Sequence, residues 1–174
     1  MNGKNENQAD PFARMEQTHR RIEERLAGLV RAAEDLGNGE RRMDALDEIY
    51  DTSGWFARGG ARHVADEEQT LFPHLRPFPE CAPLLAALEK EHREHEALED
   101  ELGRLVGNWS DEGPEVADET RAAEIARNLV ALYRAHIERE EKDLFPIAQK
   151  LLAPAVIADL GQQMMDRRSD RGKS

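Results

Sequence analysis

A histidine followed by a glutamate four positions later has a spacing that can build a metal site, and two such pairs in this sequence are candidates for one. The pairs are His63 with Glu67 and His136 with Glu140. If both segments are helical, each imidazole and its carboxylate lie on one helix face about one turn apart. A buried carboxylate is costly unless it is paired or binds a metal. Two such pairs that face each other therefore indicate a metal centre between helices.

A longer string contains each pair and occurs twice. The segments that begin at His63 and at His136 both read H-x-x-x-E-E-x-x-L-F-P, and they lie 73 positions apart. The same offset carries His19 onto His92. Two copies in register are hard to obtain by chance, and a fixed internal offset is the signature of a repeated unit. We therefore predict one helical hairpin that occurs twice, with pseudo-two-fold symmetry.

Apolar residues three and four positions apart predict amphipathic helices along most of the chain. We place four long helices and one short one, at about 11–36, 41–72, 84–109, 120–145 and 154–168. Pro73 and Pro146 are expected to end the second and fourth helices, because proline lacks a backbone donor and clashes with the preceding turn. The sequence has no alternating strand pattern, so the predicted fold class is all-α. It is an up-down-up-down four-helix bundle with a short C-terminal helix across one end.

The inward faces of the four helices together offer imidazole and carboxylate ligands. Such a set suits iron, and it also suits zinc and manganese. Glu67 and Glu140 are the natural bridges between two metals. On the third helix the repeat offset favours His92, whereas the apolar stripe favours His95, and both are kept because residues at i and i+3 share a face. The candidate metal ligands are His19, His63, Glu67, His92, His95, His136 and Glu140.

A different ligand set is suggested by Glu16 and Glu89, which precede His19 and His92 by three positions. This E-x-x-H spacing is the signature of ferritin-like di-iron proteins. In that arrangement Glu16 and Glu89 bind metal, and the histidines of the two longer strings lie around the site. The hypothesis that follows is a ferroxidase or an iron-storage protein.

The overall composition limits the classes of partner. The 174 residues suffice for one domain, expected at 11–168 between a disordered tail at 1–10 and a polar tail at 169–174. A formal net charge of −12 argues against binding to nucleic acid or to an anionic membrane. The single Cys81 excludes an intramolecular disulfide and favours a reducing compartment. Because the sequence has neither an apolar run of about 18 residues nor a signal core, we expect a cytoplasmic protein.

The complete pattern of single histidines and repeated strings resembles the hemerythrin-like, or HHE cation-binding, family. The similarity covers about residues 12–150, and the last helix is similar to the family's C-terminal extension. The resemblance implies a bundle that holds a non-haem di-iron centre. On the third helix, the Glu91-His92 pair matches the family's E-H motif. The resemblance also implies metal-binding histidines at His19, His63 and His136, and bridging carboxylates at Glu67 and Glu140.

The function implied by the resemblance is the binding of two iron ions. These would bind or sense a diatomic such as dioxygen or nitric oxide, or serve iron and redox homeostasis. The histidine spacing on the third helix is narrower than in oxygen-carrying hemerythrins, which argues against reversible oxygen carriage. The sequence shows no acid, base or nucleophile that is set aside to act on a substrate. This favours a binding or sensing module over an enzyme. The rival hypotheses are the ferritin-like protein and a metal-responsive regulatory domain that a protein partner reads.

Overall fold

The computed structural model describes residues 10–39, 42–109 and 113–169, and within these ranges the regular elements are helices, with no strand. The α-helices are α1 (Pro11–Gly37), α2 (Arg42–Trp55), α3 (Ala61–Asp66), α4 (Phe72–Leu75), α5 (Ala82–Gly107), α6 (Val116–Arg139), α7 (Phe145–Leu151) and α8 (Pro154–Ser169). Several are joined by π-helical segments, at Phe56–Gly60, Glu67–Leu71 and Glu140–Leu144. A 3-10 turn at Pro79–Cys81 precedes α5.

These elements form four rods. The first rod is α1, the second runs from α2 to α4, the third is α5, and the fourth is α6 with α7. The first and third rods each contact both the second and the fourth, which is the arrangement of a four-helix bundle. α8 packs across one end, against α1 and the Glu67–Leu71 segment. The predicted all-α bundle with a short C-terminal helix is therefore confirmed.

Two apolar clusters lie along the bundle, one on each side of a layer of buried polar residues. α1 shows the pattern: Met15 belongs to one cluster, Ile22 belongs to the other, and His19 lies buried between them. Removal of apolar surface from water stabilises a fold by roughly 25 cal/mol per Å². The polar layer is thus held by tightly packed helices on both sides.

The two prolines expected to end helices do not end them. Pro73 lies in α4 and Pro146 lies in α7, each near the start of an α-helix that follows a π-helical segment. A π turn shifts the backbone hydrogen bonds from i−4 to i−5, so one carbonyl lacks a partner where the α-helical pattern resumes. Proline has no N–H to donate, and it is tolerated at that point. The second rod therefore continues to Leu75 and the fourth to Leu151.

The remaining helix ends lie within a few residues of the predicted ones. Asp10, which the sequence assigns to the tail, is the N-cap of α1, and its carboxylate accepts a hydrogen bond from the Phe12 backbone N–H at 3.0 Å. Ser169 belongs to α8 rather than to the polar tail. The tail residues 1–9 and 170–174 lie outside the described residues. No helix in the described part of the chain is long and apolar enough to cross a bilayer.

Candidate metal centre

Glu67 and Glu140 each begin a π-helical segment, at corresponding places in the two hairpins. In each segment a backbone N–H reaches five residues back: Phe72 donates to the Glu67 carbonyl, and Phe145 donates to the Glu140 carbonyl. Isolated π turns within helices are rare and are frequent at functional sites. The repeat therefore extends from the sequence to the backbone geometry that presents the two carboxylates.

The structure brings six of the seven candidate ligands into two clusters that share both carboxylates. Within each cluster, the ligand atoms all lie within 4.8 Å of one another, and all six residues are buried. The first cluster is His19, His63, Glu67 and Glu140, and the second cluster is Glu67, His92, His136 and Glu140.

The facing atoms of these clusters are close but do not hydrogen-bond well to one another. Nε2 of His19 lies 3.1 Å from Oε2 of Glu140, and Nε2 of His92 lies 3.0 Å from Oε2 of Glu67. Even so, Nε2 of His19 and all four carboxylate oxygens of Glu67 and Glu140 are buried without a hydrogen-bond partner among the described residues. Metal–ligand bonds of about 2.1 Å at right angles would place ligand atoms about 3 Å apart. Atoms directed at a shared point in this way fit a metal ion.

Two outer carboxylates orient the histidines that the repeat offset relates. Nδ1 of His19 lies 2.8 Å from Oε1 of Glu141, and Nδ1 of His92 lies 2.8 Å from Oε1 of Glu68. An ionised carboxylate only accepts, so each Nδ1 carries the proton and donates it. The Nε2 lone pair of each ring is then free for a metal, as in most metal-binding histidines. Each hairpin supplies the outer carboxylate for the other hairpin's histidine.

His136 is oriented in the same way by Glu91, from which its Nδ1 lies 2.9 Å. Arg139 donates to the same carboxylate. Although burial raises the pKa of Glu91, the hydrogen bond and charge of His136 together with the charge of Arg139 outweigh it and hold the pKa below its ordinary value. Nε2 of His136 faces Nε2 of His92 at 3.2 Å. Although burial opposes it, the contacts with Glu67 and Glu68 and the charge of Glu67 raise the pKa of His92 to about 9, so the two nitrogens can share a proton where a metal ion would otherwise bind both.

The two shared carboxylates are buried close enough together for the charge of one to raise the pKa of the other. Burial, and then the charge of Glu140, raises the pKa of Glu67 to about 7. Burial acts in the same sense on Glu140, but His136 and His19 outweigh it and lower the pKa of Glu140. One of the two carboxyl groups therefore tends to keep its proton in the absence of metal. Cations at the two clusters would neutralise both.

His95 lies beside the second cluster rather than in it. Its ring stacks on Tyr133, with centroids 4.0 Å apart, and it meets His136 edge-on at 4.8 Å. His95 is 2% exposed, and neither ring nitrogen has a hydrogen-bond partner of good geometry among the described residues. Burial, and then the charges of His136 and His92, lowers the pKa of His95 to about 3. The apolar stripe correctly predicts its burial but does not place it among the clustered ligands.

The ferritin-like ligand set is not the set that the structure brings together. Glu16 is exposed on α1. Glu89 accepts a hydrogen bond at 2.7 Å from Arg76 and lies outside both clusters. A residue three positions before a histidine shares its face only approximately, because three residues turn an α-helix through less than a full circle. Here that difference directs both glutamates away from the polar layer.

Asp66 forms ion pairs with α8 that the sequence did not predict. Asp66, next to Glu67, is fully buried, and it accepts a hydrogen bond from Arg167. Arg168 lies 2.7 Å from its second oxygen, and Arg167 also donates to the Thr70 hydroxyl at 2.8 Å. The one sequence feature that could have indicated these ion pairs is the position of Asp66, directly before Glu67 and on a buried face of the helix. Its partners lie about 100 positions away, and no local pattern connects them.

A four-helix bundle in which buried histidines and glutamates converge on two adjoining points defines a class of cation-binding helical proteins. The sequence agrees with this class. A family model described as the hemerythrin HHE cation-binding domain matches residues 10–148, and the chain belongs to that family. No significant match was found among curated proteins.

Proposed function

We propose that the two clusters hold two iron ions, bridged by Glu67 and Glu140. His19 and His63 would bind one iron, and the histidines of the second cluster would bind the other. The observation that supports this proposal is the sharing of both carboxylates between two histidine pairs. Mixed imidazole and carboxylate donors suit iron, and the family description names a cation without naming the element.

We further propose that this centre binds or senses a diatomic such as dioxygen or nitric oxide, in the cytoplasm. Two histidines and two shared carboxylates give each metal four protein ligands, which leaves room for a small exogenous one. Iron in the ferrous state would supply the electrons that bind such a ligand. Phe145 stacks on His19 at 5.8 Å and Phe72 stacks on His92 at 5.9 Å, so aromatic rings shield both sides of the centre from water. A role in iron and redox homeostasis would use the same centre.

Metal analysis tests the ligand assignment. Protein purified with iron is expected to carry two ions per chain, and His63→Ala and His136→Ala should each lower that content. His74→Ala is the matched control, because His74 lies in α4 outside both clusters. Unchanged iron content in either cluster variant would contradict the assignment.

Optical spectroscopy tests the diatomic. Absorption bands of the oxidised pair should bleach on reduction and return in air, and nitric oxide should change the spectrum of the reduced protein. A reduced, iron-loaded protein whose spectrum responds to neither gas would contradict this part of the proposal. The metal centre itself would then remain supported by the iron content.

A further inference from the structure

A cavity of about 580 Å³ lies between the second and third rods, beside the second cluster. Apolar side chains of the second rod form one wall, and the polar face of α5 forms the other. The volume greatly exceeds that of one water molecule, about 30 Å³. The residues nearest the metal centre that line it are His92, His95 and Tyr133. The cavity therefore connects one proposed iron ligand, His92, with the buried histidine that joins neither cluster.

His95 is buried with ring nitrogens that a bound ligand could satisfy. It is 2% exposed, and its one polar neighbour in the described protein backbone, Leu132, does not reach good hydrogen-bond geometry with either ring nitrogen. An unsatisfied buried polar atom costs about 1–3 kcal/mol. Because the ring lines the cavity, a species that enters the cavity can satisfy it.

A carboxylate accompanies His95 at the spacing of the two metal-binding pairs. Glu99 follows His95 by four positions on α5, and both side chains line the cavity. The Tyr133 hydroxyl donates to Oε1 of Glu99. Oε2 lies 3.6 Å from the place that a Cβ on Gly60 would occupy, where the glycine leaves space. Imidazole and carboxylate therefore line one cavity, one helical turn apart on α5.

The first hairpin has no such group. The 73-residue offset carries His95 onto Ile22 and Glu99 onto Leu26, both of which are buried in an apolar cluster. The bundle is therefore built with apolar residues at these positions in one half. In the other half a polar pair replaces these apolar residues, and this favours a binding role in addition to its contacts with Tyr133.

The rim of the cavity is acidic on the side of His95 and Glu99. Glu96 and Asp100 are exposed, line the cavity and lie on the same helix. Arg104, one turn beyond Asp100, is a cation at the far end. Carboxylates at the mouth of a cleft raise the local concentration of cations and repel anions. A small cation suits both the acidic rim and the imidazole and carboxylate that line the inside of the cavity.

We propose that His95 and Glu99 form a third binding site, for a divalent transition-metal ion, on the route by which metal reaches the second cluster. The Tyr133 hydroxyl positions the Glu99 carboxylate through the hydrogen bond to Oε1. Imidazole and carboxylate are the same donors as in the clusters, so the site accepts the same metals. The proposed site depends only on His95 and Glu99, whereas the proposed route also depends on the proposed iron centre.

Titration with cobalt(II) under argon tests the site. Wild-type protein should bind two ions tightly and a third more weakly. His95→Gln and Glu99→Gln should each weaken the third ion at least tenfold and leave the two tight ions in place. A wild-type protein that binds only two ions would overturn the proposal, as would a third ion that binds unchanged in both variants. Loss of the tight ions in His63→Ala, with the third retained, would separate this site from the iron centre.

The rate of metal uptake tests the route with exposed residues that do not affect folding. The double variant Glu96→Gln with Asp100→Asn should fill the second cluster several-fold more slowly at low salt and reach the same final content. Glu23→Gln is the matched control, because Glu23 is the exposed counterpart of Glu96 on α1. Equal uptake rates in the wild type, the double variant and the control would overturn the route.

Discussion

The two hairpins of this bundle carry matching candidate metal ligands but differ in the residues next to them. The bridging glutamates begin π-helical segments at the same place in both. Directly before them, however, the first hairpin has Asp66, which pairs with the arginines of α8, whereas the second has Arg139, which pairs with Glu91. The repeat therefore preserves the atoms that would touch metal and lets the surrounding contacts diverge. Two equal sets of candidate ligands therefore lie in unequal surroundings.

The difference is sharpest at the two histidines of the repeated string. Glu91 holds His136 through Nδ1, but its counterpart in the first hairpin is Thr18, whose hydroxyl donates to a backbone carbonyl of its own helix. Nε2 of His63 has no hydrogen-bond partner among the described residues. We infer that the second cluster is the more preorganised and the first is the more adaptable.

The largest expected effect comes from removing what the hairpins share. Glu67→Gln and Glu140→Gln each delete a charged bridge that serves both metals, so each should weaken the binding of both ions by at least about 1,000-fold, which is about 4 kcal/mol. Isothermal titration with cobalt(II) measures both losses. If either variant lost only one ion, the two carboxylates would not be equivalent bridges. The repeat in the sequence would then not extend to the way the metals are bound.

A smaller effect is expected from the contact that only the first hairpin has. Arg167→Ala with Arg168→Ala removes both arginines that pair with the fully buried Asp66, leaves the charge of Arg14 nearby, and should lower the free energy of unfolding by about 3 kcal/mol. Urea denaturation measures the change. Arg139→Ala is the control in the second hairpin, and it should cost only about 1 kcal/mol because Glu91 is partly exposed and keeps its bond to His136. Equal losses would mean that α8 does not specifically stabilise the first hairpin.

Features carried by local spacing could be predicted from the sequence. The helices follow from spacings within one or two turns, and the repeat at a 73-residue offset picks out the six residues that the structure brings into two clusters. The prolines were misinterpreted because their effect depends on a π turn that spacing does not reveal, and Pro73 and Pro146 both lie within helices. Periodicity also places a residue on a face without saying whether it reaches the centre, and so His95 was grouped with the ligands.

Contacts between distant parts of the chain could not be predicted. The pairing of His19 with Glu141 crosses 122 positions, and that of Asp66 with Arg167 crosses 101. A surface carboxylate and an outer metal-site carboxylate look alike in a sequence, and only packing separates them. The asymmetry between the hairpins resides in contacts of this kind.

The smallest effect tests that asymmetry directly. Glu91→Gln removes the charged acceptor that holds His136, and loss of such an outer partner costs 10–100-fold in metal affinity, or about 1.4–2.8 kcal/mol. The loss should fall on the ion of the second cluster alone, whereas Thr18→Val at the matching position should leave both ions unchanged. Competition titration with a coloured chelator resolves the two ions. If both variants weakened binding equally, the outer contacts would not distinguish the clusters, and the two metal positions would be as symmetric as their ligands.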